Sequence, residues 1–166
     1  LFPNLKITEP INDQLKSLEE QISNYFKVLQ NEEYPSKKKP YPIDYSIEHN
    51  SGLLLYFLCK AIKPEKVVET GVAYGYSSAH ILQALHENQK GKLYSIDNIF
   101  RPWQTPAMIG AVIPERLRSR WELSLGPSSE KLGGLLDSLG QIDIFIHDSM
   151  HTFKTMNFEY NTAWPY

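Results

Sequence analysis

Apolar residues recur at spacings of three and four between residues 8 and 31: Ile11, Leu15, Leu18, Ile22, Phe26 and Leu29, with Asp, Lys, Glu and Gln on the opposite face. That period predicts an amphipathic helix packed on its domain by one stripe, with Thr8 as N-cap and Pro10 in the first turn. The pattern then breaks. Residues 32–45 read as a connector in which Pro35, Pro40 and Pro42 break regular structure and the run Lys37-Lys38-Lys39 is solvated. A second helix starts at Ser46. Leu53 to Cys59 make it apolar on nearly every side, which predicts burial, and Pro64 ends it.

From Val67 onward, short apolar runs alternate with helical patterns. Val67-Val68 runs into Glu69-Thr70 as a first strand, and Ser77 to Asn88 follows as a helix with Ile81, Leu82 and Leu85 inward. Lys92 to Asp97 is a second strand. Residues 98–112 are irregular and rich in aromatics, and two readings stay open: a lid over a site, or a hydrophobic plug on the sheet edge. A helix over Pro114–Ser119 leads to a third strand, Trp121–Leu125. Ser128 or Ser129 caps the next helix, which carries Leu132, Leu135, Leu136 and Leu139. Ile142–Ile146 is a fourth strand, and residues 152–163 are a last helix. This β-α alternation implies right-handed crossovers and an α/β, Rossmann-like parallel sheet. It divides the chain into an N-terminal helix and proline-rich connector, residues 1–45, and an α/β domain, residues 46–166.

The chemistry concentrates at two strand ends. At the first, Glu69-Thr70-Gly71-Val72-Ala73-Tyr74-Gly75-Tyr76-Ser77 joins an acid to two glycines and a helix start. Gly71 and Gly75 suit a sharp turn and the close approach of a ligand that a Cβ would block, and Ser77 or Ser78 suits the helix cap. A dinucleotide loop wants G-x-G-x-x-G, but Ala73 and Tyr76 stand at two of its glycine positions. Glu69 would repel a pyrophosphate and suits a ligand with a cationic amino-acid end. Asp97 follows Gly75 by 22 residues, near the separation expected of an acid that accepts from ribose hydroxyls. At the second strand end, His147, Asp148 and His151 reach the edge where open α/β sheets bind ligands.

Glu-x-Gly-x-x-x-Gly-x-Ser resembles the first motif of class I S-adenosylmethionine-dependent methyltransferases. Ile-Asp-Ile-Phe-Ile-His-Asp-Ser-Met-His, followed by a helix ending Ala-Trp-Pro, resembles the fourth-strand motif of the branch holding small-molecule and macrolide sugar O-methyltransferases and cephalosporin hydroxylase-like proteins. The resemblance covers roughly residues 46–166. It implies a strand order of 3-2-1-4 and methyl transfer from S-adenosyl-L-methionine to a hydroxyl of a small molecule. It places Glu69 at the cofactor's methionyl amino group, directly or through water, Gly71, Gly75 and Ser77 along its backbone approach, Asp97 at the ribose, and Ile99 or Phe100 beside adenine. It makes Asp148 a ligand of a divalent cation such as Mg2+, and His151 the general base. An imidazole titrates in the range where it can take a hydroxyl proton, and a hard cation lowers the pKa of the hydroxyl and orients it. The resemblance also implies a longer sheet than the four strands counted here, with further metal ligands beyond them, so the chain is expected to be a truncated form of that domain and its unpaired fourth strand to invite a homo-oligomer.

Two rivals remain: a cofactor-binding module without turnover, and a non-haem iron hydroxylase using His147, Asp148 and His151. The hydroxylase requires His147 and Asp148 on one side of the strand, which alternation opposes. A nicotinamide oxidoreductase fails on the glycines. At 166 residues, 42% hydrophobic, 22% charged and net charge −2, the chain has the composition of a globular domain with no basic face for nucleic acid. Its single cysteine, Cys59, fits a reducing, cytoplasmic setting, and its longest apolar run is too short for a membrane span.

Overall fold

The computed structural model describes residues 11–45 and 49–166. Four strands, β1 (Lys66–Thr70), β2 (Lys92–Asp97), β3 (Trp121–Leu125) and β4 (Ile144–His147), form one parallel sheet in the order β3-β2-β1-β4. Register places Glu69 beside Ser95 on one flank and Ile146 on the other, and Thr70 beside His147. Successive side chains of a strand point to opposite faces, so Val67 and Glu69 share one face of β1, and Val68 and Thr70 the other.

Each face carries its own helices. α1 (Asp13–Gln30), α2 (His49–Ile62) and α3 (Tyr76–Glu87) cover the first, burying Leu15, Leu18, Ile22, Cys59, Ile81 and Leu85 against Val67 and Leu93. α4 (Ser128–Leu139) and α5 (Phe153–Ala163) cover the second, burying Leu132, Leu136 and Ala163 against Val68 and Ile96. Among the described residues no helix is long and apolar enough to cross a membrane.

Several local expectations change. α1 is capped by Asn12, whose side chain accepts from Leu15 N at 2.8 Å, so the helix starts later than the hydrophobic stripe alone suggests. Thr8, Pro10 and Ser46 lie outside the described residues. Within the connector Lys37 and Lys38 are exposed, as expected, while Tyr41 is buried. α2 buries Gly52, Tyr56 and Cys59 but leaves Leu54 57% exposed, because only one of its faces rests on α3 and the core. The segment before β3 is a 3-10 helix, Glu115–Arg120, rather than an α-helix. Pro127, not a serine side chain, precedes α4 without a side-chain cap. β4 runs Ile144–His147 rather than starting at Ile142.

Candidate functional site

The loop between β1 and α3 turns through three residues with positive φ: Gly71 at 85°, Ala73 at 47° and Gly75 at 86°. Gly71 and Gly75 are required by this protein's own packing. A Cβ on Gly71 would lie 2.1 Å from the Asp148 carbonyl oxygen, and one on Gly75 would lie 2.8 Å from the Gly110 Cα. The turn is as expected from the sequence, but what a Cβ would strike in this structure is protein backbone rather than open space for a ligand. Gly71 thereby draws the end of β4 against the glycine loop.

Asp97 closes the loop from the other side. Its Oδ2 accepts from Val72 N at 3.1 Å and Ala73 N at 2.8 Å, and its Oδ1 accepts from Asn98 N at 2.6 Å. These bonds hold Ala73 in a backbone region that residues other than glycine seldom occupy. Burial raises the Asp97 pKa, and the three backbone N–H groups oppose that rise. A carboxylate offers about four lone-pair directions, so Oδ1 keeps accepting capacity. Ile99 and Phe100 follow on the loop after β2 and are 36% and 66% exposed.

Glu69 is fully buried. Oε1 accepts from Ser77 Oγ at 2.6 Å, and Oε2 accepts from Ser78 Oγ at 2.6 Å and Ser95 Oγ at 2.9 Å. Neither Ser77 nor Ser78 caps α3: the cap position is Gly75, with no side-chain cap bond. The expected cap fails because α3 already begins at Tyr76, so Ser77 and Ser78 lie within its first turn rather than before it, where their hydroxyls donate to Glu69. Burial pushes the Glu69 pKa up to about 7, against the three serine bonds, and the charge of Asp148 adds to the rise.

At the end of β4, Asp148 N donates to Thr70 O at 2.8 Å. His151 Nε2 lies 3.7 Å from Asp148 Oδ1, with the His151 side chain 66% exposed. Burial pushes the Asp148 pKa up to about 6, and the neighbouring His151 and His147 oppose it. Glu69, Asp97 and Asp148 thus stand at or beside the ends of three adjacent strands around one loop, each with its charge disfavoured by burial.

His147 leaves this group. Its Nδ1 lies 2.6 Å from Glu159 Oε2 on α5, and that buried carboxylate also accepts from Thr70 Oγ1 and, at 2.7 Å, from Ser149 Oγ. Burial would raise the Glu159 pKa, but hydrogen bonds from Ser128, Thr70, His147 and Ser149 outweigh it and hold it low. Among the described residues no three His, Cys, Asp or Glu side chains are grouped to hold a metal ion. The iron triad of His147, Asp148 and His151 is therefore not assembled.

The sequence pointed to Glu69, Gly71, Gly75, Ser77, Asp97, Asp148 and His151, and all line the C-terminal edge of β1, β2 and β4 or the loop there. It did not point to Ser78 or Ser95 as partners of Glu69, nor to Glu159 as the anchor of His147. Ser95 had a signal, being a polar residue between Tyr94 and Ile96 in a buried strand. Glu159 had one too, standing four residues before the buried Ala163 on the same helix face.

A family model described as a methyltransferase domain matches residues 68–166. A sequence search of curated proteins gave no match. Solved structures resemble the fold. An O-methyltransferase from Bacillus cereus in complex with SAH has a TM-score of 0.64 at 16% identity, covering 96% of this chain and 63% of that one. The O-methyltransferase TomG from Streptomyces achromogenes, involved in tomaymycin synthesis and in complex with SAM, has a TM-score of 0.60 at 17% identity, covering 96% and 62%. CalS11, a TDP-rhamnose 3'-O-methyltransferase of calicheamicin biosynthesis, has a TM-score of 0.57 at 14% identity, covering 93% and 74%. At these identities the likeness is one of fold. The chain spans just under two thirds of the length of the first two.

Proposed function

The chain belongs to the methyltransferase-domain family matched over its residues 68–166, and from that premise we propose that it binds S-adenosyl-L-methionine at the Gly71–Gly75 loop and transfers the methyl group to a hydroxyl of a small molecule. The observation that carries this reading is the convergence of Glu69, Asp97 and Asp148 around one loop, with burial raising the pKa of each. Such a place disfavours a pyrophosphate and favours a cation. S-adenosylmethionine carries both an ammonium and a sulfonium. The synthesis of tomaymycin and the methylation of TDP-rhamnose by two proteins of the same fold support a small-molecule acceptor.

The residues present fit the cofactor in part. Asp97 retains accepting capacity for ribose hydroxyls, and Ile99 and Phe100 offer exposed apolar surface beside it. Glu69, with both oxygens taken by serines and no exposed surface, acts on an ammonium through its charge rather than by contact. The bound cofactor supplies a methyl group activated by a sulfonium. His151 has the exposure to meet an acceptor hydroxyl and take its proton, and Asp148 at 3.7 Å stabilises the imidazolium that results. A divalent cation such as Mg2+ needs several oxygen ligands. Asp148 supplies one carboxylate, and among the described residues no group of three or more His, Cys, Asp or Glu side chains is placed to hold such an ion, so no step is routed through a metal.

The test is product formation from radiolabelled S-adenosylmethionine with a panel of phenolic and sugar hydroxyls. His151→Ala should lower turnover about a hundredfold or more, and alkaline pH should restore part of it. Turnover unchanged in that variant removes His151 from the chemistry. Cofactor binding with no product from any acceptor favours a binding module.

A further inference from the structure

The connector before α2 reaches the candidate cofactor loops, although residues 11–67 lie outside the family match. Tyr41 is 3% exposed. Its backbone is clasped by Tyr74 of the glycine loop: the Tyr74 hydroxyl donates to Tyr41 O at 2.7 Å and accepts from Tyr41 N at 3.4 Å. The two rings pack edge to face with centroids 5.3 Å apart. The Tyr41 hydroxyl accepts from Gln104 Nε2, and Gln104 Oε1 accepts from Phe100 N at 3.1 Å. Gln104 N also donates to Arg101 O at 3.0 Å.

This chain of bonds has one orientation. Phe100 N–H requires an acceptor, so the Gln104 amide must turn its oxygen there and its nitrogen toward Tyr41. Gln104 is 6% exposed, and without the Tyr41 hydroxyl its amide nitrogen is left buried and unpaired. The amide then loses what fixes its direction, and Phe100 loses its tether. One residue thus holds both loops: the glycine loop through its backbone and ring at Tyr74, and the loop after β2 through its hydroxyl and Gln104.

We propose that Tyr41, acting through Gln104, is a positioning residue for the adenosine side of the site: it sets the backbone at Phe100 and holds it against the glycine loop. This rests on the cofactor reading above. The probes are S-adenosylhomocysteine and adenosine, titrated into the 166-residue chain and its Tyr41→Phe and Gln104→Leu variants, with amide hydrogen exchange followed at Phe100 and along β1. Each variant should weaken both probes roughly fivefold, the effect of one neutral hydrogen bond. The double variant should lose no more than either single one, since both break the same link. Exchange at Phe100 should quicken while β1 stays protected. Wild-type binding that neither variant weakens, or losses that simply add, overturns the proposal. If the wild type binds neither probe, the cofactor reading fails, and exchange at Phe100 alone decides: unchanged protection in Tyr41→Phe overturns the positioning role. Should Gln104→Leu fail to fold, Tyr41→Phe carries the test.

Discussion

Glu69 shows how far a single residue was legible. Its place before the glycines announced a buried acid at a strand end, and the acid is there. The sequence could not show that three serine hydroxyls from α3 and β2 would enclose it, because that depends on strand register as well as on the motif. The enclosure has a consequence for stability. Burial moves the Glu69 pKa from its ordinary 4.5 to about 7. Between those values the folded chain holds a proton that the unfolded chain has released, so the Glu69 contribution to stability falls as pH rises through that window. Urea unfolding of Glu69→Gln should lack this component, so the stability difference between wild type and variant should shift in the variant's favour from pH 5 to pH 8. A difference independent of pH contradicts the assignment. Glu19 has the opposite sign. Burial would raise its pKa, but the hydrogen bond and charge of His80, and then of His49, hold it below the usual value. Its contribution is present above 4.5 and fades as pH falls further, outside the Glu69 window.

At the scale of elements, strands and helices were legible where hydrophobic period was strong, as in α1, and where Gly or Pro marked the joints. The failures have physical causes. α2 was read as buried because Leu53–Cys59 make it apolar on nearly every side, but apolar composition cannot say how many neighbours a helix has, and the described fold leaves Leu54 57% exposed. β4 and α5 are joined by a buried polar link that hydrophobic patterning does not register, namely Glu159 with His147, Thr70 and Ser149. Removing the acid takes the acceptor from four donors, Ser128, Thr70, His147 and Ser149. Glu159→Ala should therefore cost roughly 1.5–3 kcal/mol, the range for a hydrogen bond to a charged group, measured by urea denaturation at pH 7. A loss under about 1 kcal/mol would show the link to be incidental. The exposed side chains of Phe153 and Trp164 on and beside α5, 85% and 90% accessible, were equally hidden from the sequence.

For the whole molecule, β-α alternation implied a parallel sheet, and the order β3-β2-β1-β4 followed from the resemblance rather than from periodicity. The sheet brings Asp97, the glycine loop and Asp148 to one edge, as the two motifs required. What the motifs did not contain is the N-terminal segment: Tyr41 lies in a proline-rich stretch that reads as linker, and only the folded chain puts it against Tyr74 and Gln104. The central claim is that this edge holds the adenosyl cofactor of methyl transfer. Calorimetric titration of the folded chain with S-adenosylhomocysteine and with NAD tests it most directly, with Asp97→Ala alongside. The account predicts saturable heat with S-adenosylhomocysteine, none with NAD, and an affinity loss of about 1.5–3 kcal/mol in Asp97→Ala for each charged hydrogen bond removed. Tighter binding of NAD than of S-adenosylhomocysteine, or full affinity in Asp97→Ala, would contradict it.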